Sequence, residues 1–222
     1  MNNKRIETKF LFNRFDKERF IKILKSLPLK IKKKYNSRQI NNIYLDTQTN
    51  NCLSNHLDGL FKRYKLRVRW YGNFEDFLSP KLEFKIKTNQ ITNKKNFELL
   101  TNYERIRLSE KKHFLNSIKE CLKRNKIINF SENLKISRII VYNRDYYEST
   151  VQNIRFTIDS NLKYKLWQRN SFQNDTHRIM TQKEFNILEV KYDINLKSIL
   201  PLVTKALKIR NQSFSKFVDY RY

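Results

Sequence analysis

Glycine is almost missing from this chain: Gly59 and Gly72 are the two among 222 residues. A glycine-rich loop that wraps backbone amides around a nucleotide phosphate needs several, so dinucleotide-binding and P-loop enzymes are excluded. Three histidines and two cysteines are equally sparse. His56, His113 and His177 lack mutual spacing and Cys52 and Cys121 stand far apart, which excludes zinc-finger and zinc-hydrolase patterns. The histidines are expected at the surface or in loops, the cysteines as packing residues in a reduced compartment. No stretch approaches ~18 consecutive apolar residues and no apolar signal region opens the chain, so a soluble, cytoplasmic protein is expected. Acid is short as well: 21 Asp and Glu face 47 Lys and Arg, a formal net charge of +26. That surplus predicts a polyanionic partner, whether nucleic acid, acidic lipid or a phosphate chain.

What the chain does have is enough grease for a core, 39% hydrophobic and 14% aromatic residues, and a length that predicts one domain over residues 1–222. Three helices are expected. The first starts at Asp16 as N-cap, carries Phe20, Ile21, Leu24 and Leu27 and stops before Pro28. The second begins near Ser109, with Phe114, Ile118, Cys121 and Leu122 on one stripe. The third covers Leu196–Leu207, with Pro201 bending or shortening it. The run Lys30, Lys32, Lys33 and Lys34 is expected as a solvated loop, the alternatives being a guide for an emerging polyanion or a membrane contact.

Nearly everything else reads as strand, and there parity sorts the side chains, because successive residues point to opposite faces. Arg63, Lys65, Arg67 and Arg69 share one face against Tyr64, Leu66, Val68 and Trp70. Glu83, Lys85 and Lys87 oppose Leu82, Phe84 and Ile86. Arg155, Thr157 and Asp159 oppose Ile154, Phe156 and Ile158; Glu189 and Lys191 oppose Leu188, Val190 and Tyr192. Arg5, Glu7 and Lys9 oppose Ile6, Thr8 and Phe10, until Leu11 breaks the pattern. For a single strand this is the ordinary division of a half-buried sheet. As an ensemble it is unusual, since like charges two apart repel unless an anion sits among them. The economical arrangement is an α+β fold, a closed antiparallel β-barrel with a polar, cationic lumen and helices packed outside, which also removes edge strands.

Such a lumen suits a linear, multiply charged anion. Arginine forks grip phosphate in pairs of bonds and lysine supplies a mobile point charge. The interspersed glutamates would repel phosphate unless they hold a divalent Mg²⁺ or Mn²⁺, or else they neutralise the neighbouring lysines; residue types leave both open.

In order along the chain stand Glu7-x-Lys9, Ile43-Tyr44-Leu45-Asp46-Thr47, Lys65-x-Arg67-x-Arg69-x-Tyr71 and Leu82-Glu83-x-Lys85-x-Lys87. Tyr142-x-Arg144, Arg155-x-Thr157-x-Asp159, Leu188-Glu189-x-Lys191 and Phe214-Ser215-Lys216-Phe217 follow. Each is weak alone; eight in order resemble the polyphosphate polymerase domain of the vacuolar transporter chaperone (VTC) family, in the triphosphate tunnel metalloenzyme superfamily. The resemblance implies a barrel with a polar tunnel and transfer of the terminal phosphoryl group of ATP to a growing polyphosphate chain.

By that resemblance Arg67, Arg69, Lys85, Arg144, Arg155 and Lys216 are the catalytic cations. Lys9, Lys65, Lys87, Tyr142 and Lys191 contact substrate, together with Arg105 and Arg107, for which exposed strand positions are an equal alternative. Glu189, with Glu7, holds Mn²⁺ or Mg²⁺. The implied partners are ATP and inorganic polyphosphate, with a separate membrane partner possible; nucleic acid, or hydrolysis of triphosphate in the same fold, stand as alternatives. The hydrolase branches begin Glu-x-Glu-x-Lys, whereas here Arg5 takes the first acidic place, which favours the polymerase branch. The basic stretch Asn89–Asn96 finds no place in this reading.

Overall fold

A computed structural model describes residues 5–89, 91–99, 111–127, 134–166 and 181–219. In chain order it contains β1 (Arg5–Asn13), α1 (Lys17–Ser26), β2 (Ile31–Thr47), α2 (Asn51–Leu57), β3 (Lys62–Tyr71), β4 (Lys81–Thr88) and β5 (Ile91–Glu98). Then come α3 (Lys111–Arg124), β6 (Leu134–Ser149), β7 (Arg155–Leu166), β8 (Thr181–Gln182), β9 (Phe185–Asp193) and α4 (Ile199–Leu207). The strands form one sheet in the order β1-β9-β7-β6-β2-β3-β4-β5, with β8 on β7; β1–β9, β9–β7, β2–β3, β3–β4 and β4–β5 pair antiparallel. The expected sheet-rich α+β fold is therefore present. The expected closure is not made by hydrogen bonds: among the described residues the path has two ends, β1 and β5. β5 has the composition of an edge, with exposed Lys94 and Lys95 between asparagines, side chains that discourage further pairing. No described helix is long and apolar enough to cross a membrane.

The chain forms two compact units. The first comprises Met1–Arg38, Tyr142–Leu162 and Gln182–Phe214. Its core is the apolar parity of β1, β7 and β9, including Phe10, Phe156, Ile158, Leu188 and Val190, covered by Phe20 and Leu24 of α1 and Val203 and Leu207 of α4. α1 follows Asp16 as expected, although the Asp16 side chain makes no capping bond, and ends where Leu27 turns extended before Pro28. α4 is shorter than Leu196–Leu207, because Ile194–Leu196 is a separate 3₁₀ turn and the helix starts at Ile199. Pro201 thus falls in the first turn, where a missing N–H breaks no intrahelical bond. Of the lysine run only Lys30 lies in a connection; Ile31 opens β2, and Lys32, Lys33 and Lys34 fall in the exposed strand of residues 32–38.

The second unit comprises Gln39–Val141, Lys163–Thr181 and Ser215–Tyr222. Ile43, Leu66, Val68, Trp70 and Leu82 are buried, and Phe77 joins Trp70, at 4.9 Å between ring centres, to Phe114 of α3 at 6.1 Å. Ser109, expected near the start of α3, lies outside the described residues, as does His177. In the unplaced Asn89–Asn96 stretch Asn89 is a turn residue at a φ of 56°, which asparagine tolerates better than most residues; residues 91–96 belong to β5, and Gln90 lies outside the described residues. Asp46 of the Tyr44-Leu45-Asp46-Thr47 motif is fully buried and holds α2 by its first turn. Its Oδ1 accepts from the Cys52 N–H at 2.8 Å and its Oδ2 from the Leu53 N–H at 3.1 Å.

Candidate active site

In the first unit the register of three strands writes the polar face as two rows. Glu7 of β1 stands opposite Lys191 of β9, which stands opposite Arg155 of β7; one step along, Lys9 faces Glu189 and Glu189 faces Thr157. Acid and base therefore alternate along and across β1 and β9, whereas β7 sets Arg155 beside Lys191 and Thr157 beside Glu189. Lys9 Nζ lies 2.9 Å from Glu7, and Lys191 Nζ lies 2.7 Å from Glu189 and 3.6 Å from Glu7. Lys9 also donates to the carbonyl of Phe214 at 3.0 Å. Burial and the charge of Glu7 push the Glu189 carboxyl up, yet Lys191, Arg144 and Lys9 outweigh them and hold it below its ordinary range.

Arg144 of β6 completes this face. Its Nε and Nη2 donate to the two carboxylate oxygens of Asp159 at 2.5 and 2.7 Å, and its guanidinium sits 5.4 Å from the ring centre of Tyr142. Burial lowers the Arg144 pKa, but the facing Asp159 carboxylate more than reverses this, and the group stays charged.

The second unit gathers cations around one carboxylate. Arg67 donates from Nε to Glu83 Oε2 at 2.7 Å, brings a second guanidinium nitrogen to 2.5 Å of it, and donates from Nη1 to Tyr44 Oη at 3.0 Å. Arg69 donates to Asn42 Oδ1 at 2.9 Å and lies 3.9 Å from Glu83, while Lys94 of β5 donates to Glu83 Oε1 at 2.8 Å. Burial favours the protonated acid, but Arg67, Arg69 and Lys94 bring the Glu83 pKa down to about 2. One step along the strands Lys65, Lys85 and Lys94 stand side by side, and beyond them Arg63 faces Lys87. Lys65 Nζ donates to Ser215 Oγ at 2.9 Å. Lys216 is half-buried, and its neighbour Phe217 stacks on Tyr44 at 5.1 Å with the Arg138 guanidinium 5.3 Å from its ring centre.

The structure thus brings Glu7, Lys9, Tyr142, Arg144, Arg155, Glu189 and Lys191 to one unit, and Lys65, Arg67, Arg69, Lys85, Lys87 and Lys216 to the other. Arg105 and Arg107 lie outside the described residues. Four partners had no role assigned from sequence: Asp159 under Arg144 and Tyr44 beside Arg67, both standing in the quoted motifs, and Lys94 and Asn42 around Glu83 and Arg69. Asp159 was signalled by its parity with Arg155, whereas Lys94 sits in a stretch with no apolar alternation to mark it as strand. His56 corrects an expectation. It is half-buried and meets Phe217 edge-on at 5.8 Å, and burial together with Lys65, Arg63 and Lys85 lowers its pKa to about 3.

Glu7 and Glu189 are the carboxylates of this face that could hold a metal, in exchange for their ion pairs with Lys9 and Lys191. Among the described residues no three His, Cys, Asp or Glu side chains converge. Mg²⁺ and Mn²⁺ use one or two carboxylates, retained waters and substrate phosphates, so this pair of hard oxygen donors fits them. Glu83 does not, being occupied by three cations.

Solved structures of low identity share this fold. A putative adenylate cyclase from Bacillus halodurans matches with a TM-score of 0.58 at 13% identity, covering 98% of this chain and 97% of its own. A putative adenylyl cyclase from Hippeastrum, described as having a dominant triphosphatase activity, matches with a TM-score of 0.55 at 14% identity, covering 98% and 95%. A Pyrococcus horikoshii protein matches with a TM-score of 0.53 at 15% identity, covering 96% and 98%. No curated protein matches the chain. The VTC domain, in contrast, matches residues 4–220, and over that span the cationic strand motifs fall on the polar faces just described. The chain belongs to the VTC domain family, with the fold of the triphosphate tunnel metalloenzymes.

Proposed function

We propose that this protein is an ATP-dependent polyphosphate polymerase, acting over residues 1–222 as one tunnel domain of the family's closed type. The observation that carries the reading is the strand register itself. It sets Glu7, Lys191 and Arg155 in one row beside Lys9 and Glu189 in the next, inside a chain matched almost end to end by the VTC domain. A terminal phosphate oxygen of the growing chain, already anionic at neutral pH, attacks the γ-phosphorus of ATP. The bond to the β–γ bridging oxygen breaks and ADP leaves, so the step needs no side-chain nucleophile and no general base. Its loose transition state spreads charge over the equatorial oxygens, and catalysis is mostly positioning and electrostatics. In this reading Arg67, Arg69, Lys85 and Lys216 are the catalytic cations of the second unit, and Arg144 and Arg155 those of the first. Lys9, Lys65, Lys87, Tyr142, Lys191, Arg105 and Arg107 hold the rest of the chain. A divalent cation held by Glu7 and Glu189, Mn²⁺ or Mg²⁺, supplies neutralisation of phosphate charge.

Incubation of purified protein with ATP and Mn²⁺, resolved by gel for chain length, tests this. Acid-labile polymer with stoichiometric ADP is expected; no polymer, beside an active comparison enzyme, overturns it. A second reading keeps the site and makes water the acceptor, and the triphosphatase activity described for the Hippeastrum relative favours it. Orthophosphate without chains selects that reading, against which Arg5 stands in the first acidic place of the hydrolase motif.

A further inference from the structure

The polar face of the first unit does not stop at Arg144. Along β6 the residues Tyr142, Arg144, Tyr146 and Glu148 share one face at two-residue intervals, about 7 Å per step. The opposite parity is closed off, with Asp145 and Tyr147 buried and Asp145 bonded to Lys17 of α1 at 2.7 Å. The even-numbered cations of β2 lie against the open row. Lys34 pairs with Glu148, and the Arg38 guanidinium sits 6.0 Å from the ring centre of Tyr146 and 5.5 Å from that of Tyr35. Tyr35 and Tyr146 meet edge-on at 5.7 Å, with the Lys34 ammonium 5.6 Å from the Tyr35 ring. Residues 32–38 are all exposed, Lys32 and Lys33 included. A row of groups that begins among the candidate phosphate ligands therefore runs on, without a change of face, into a solvent-facing strip of lysine, arginine and tyrosine.

Lysines on a thinly paired strand also guard against edge-to-edge association, and that would account for Lys32 and Lys33. It does not account for a guanidinium settled over two rings, which pre-orders one charge where edge protection asks only for solvated ones. A stacking platform for nucleic-acid bases fits less well, because the Tyr35 ring is already engaged by Arg38, Lys34 and Tyr146. What the strip offers is a line of point charges.

We propose that the strip formed by Lys32, Lys34 and Arg38 with Tyr35 and Tyr146 is a docking track for inorganic polyphosphate, holding the polymer beyond Arg144. The choice of occupant rests on the proposed function, and the test separates the two. Binding of labelled long-chain polyphosphate and of tripolyphosphate is measured, without ATP, on wild type and on Lys32→Ala/Lys34→Ala/Arg38→Ala. The expected result is tighter binding of the long chain than of tripolyphosphate by wild type. In the variant the long-chain affinity falls by about ten-fold and the tripolyphosphate affinity is unchanged. Lys32→Ala, which touches no stacked group, should lose a smaller part of the same preference, and it keeps the test open if the triple variant unfolds. Equal long-chain affinity in wild type and both variants overturns the track. So does a parallel loss for tripolyphosphate, or a wild type indifferent to chain length. Displacement of long-chain polyphosphate by oligothymidylate at equal phosphate concentration, abolished in the variants, assigns the strip to nucleic acid and also overturns it. A wild type that holds long chains through the strip yet makes no polymer from ATP leaves the track standing and overturns the polymerase.

Discussion

Arg144 and Asp159 form a two-bond pair across β6 and β7, at 2.5 and 2.7 Å, in which the carboxylate is fully buried. A buried pair of this kind is most costly when half of it is removed, because the survivor is left charged and unsolvated. Asp159→Ala should therefore destabilise the protein by about 3–5 kcal/mol, read by denaturant unfolding. Arg144→Met combined with Asp159→Leu should recover most of that loss while phosphoryl transfer stays abolished. Recovery of activity with the stability would show that Arg144 acts through the fold alone.

Glu83 is the anion that lets Arg67 and Arg69 stand side by side. Its pKa of about 2, against an ordinary 4.5, means that its stabilising contribution is complete above pH 4.5 and is lost as pH falls toward 2. The difference amounts to about 3 kcal/mol. Glu83→Gln should flatten that part of the acid limb of the stability profile; an unchanged limb would show that the three cations do not hold the charge.

Arg69 is nine-tenths buried and spends one bond on Asn42, so its alignment is set before any phosphate arrives. Arg69→Ala should lower ATP turnover by about ten-fold or more, the worth of at least one charge-assisted hydrogen bond. A normal rate in a folded variant would remove this strand face from the site.

For Glu189 the structure changes an expectation that parity alone invites. Two neighbouring glutamates suggest crowding that an amide would relieve. Lys191, Arg144 and Lys9 nevertheless leave the carboxylate net stabilised. Glu189→Gln should thus abolish metal-dependent activity and also lower the midpoint of thermal unfolding near neutral pH. A raised midpoint would show that Glu7 dominates its field.

His56 titrates in the opposite sense from a paired histidine. Its folded pKa of about 3 lies below the ordinary 6.5, so the unfolded chain binds the proton first and stability falls as pH drops from 6.5 toward 3. His56→Gln should lessen that loss, as measured by unfolding at pH 5 and pH 7; equal slopes in both proteins would refute the burial of a neutral ring.

Much of the site was legible before any coordinates. Strand parity sorted Lys65, Arg67 and Arg69 from Leu66, Val68 and Trp70, and Glu189 and Lys191 from Leu188 and Val190, because a half-buried sheet imposes period two on its sequence. β5 was not legible, since Asn93, Lys94, Lys95 and Asn96 carry no alternation and take their strand geometry from pairing with β4. α2 escaped for a similar reason: its cap, Asp46, lies outside the helix and reaches it through the turn at Asn50.

The sequence by itself determined which residues face together, since that depends only on the alternation of neighbours along one strand. Which carboxylate meets which cation was decided by tertiary structure alone. Register sets Glu7 against Lys191 and Arg67 against Glu83, and Lys94, eleven positions on from Glu83, reaches the other oxygen of the same carboxylate. Pairing across strands joins residues far apart in the chain through backbone hydrogen bonds that carry no side-chain signature, so no reading along a single strand contains it.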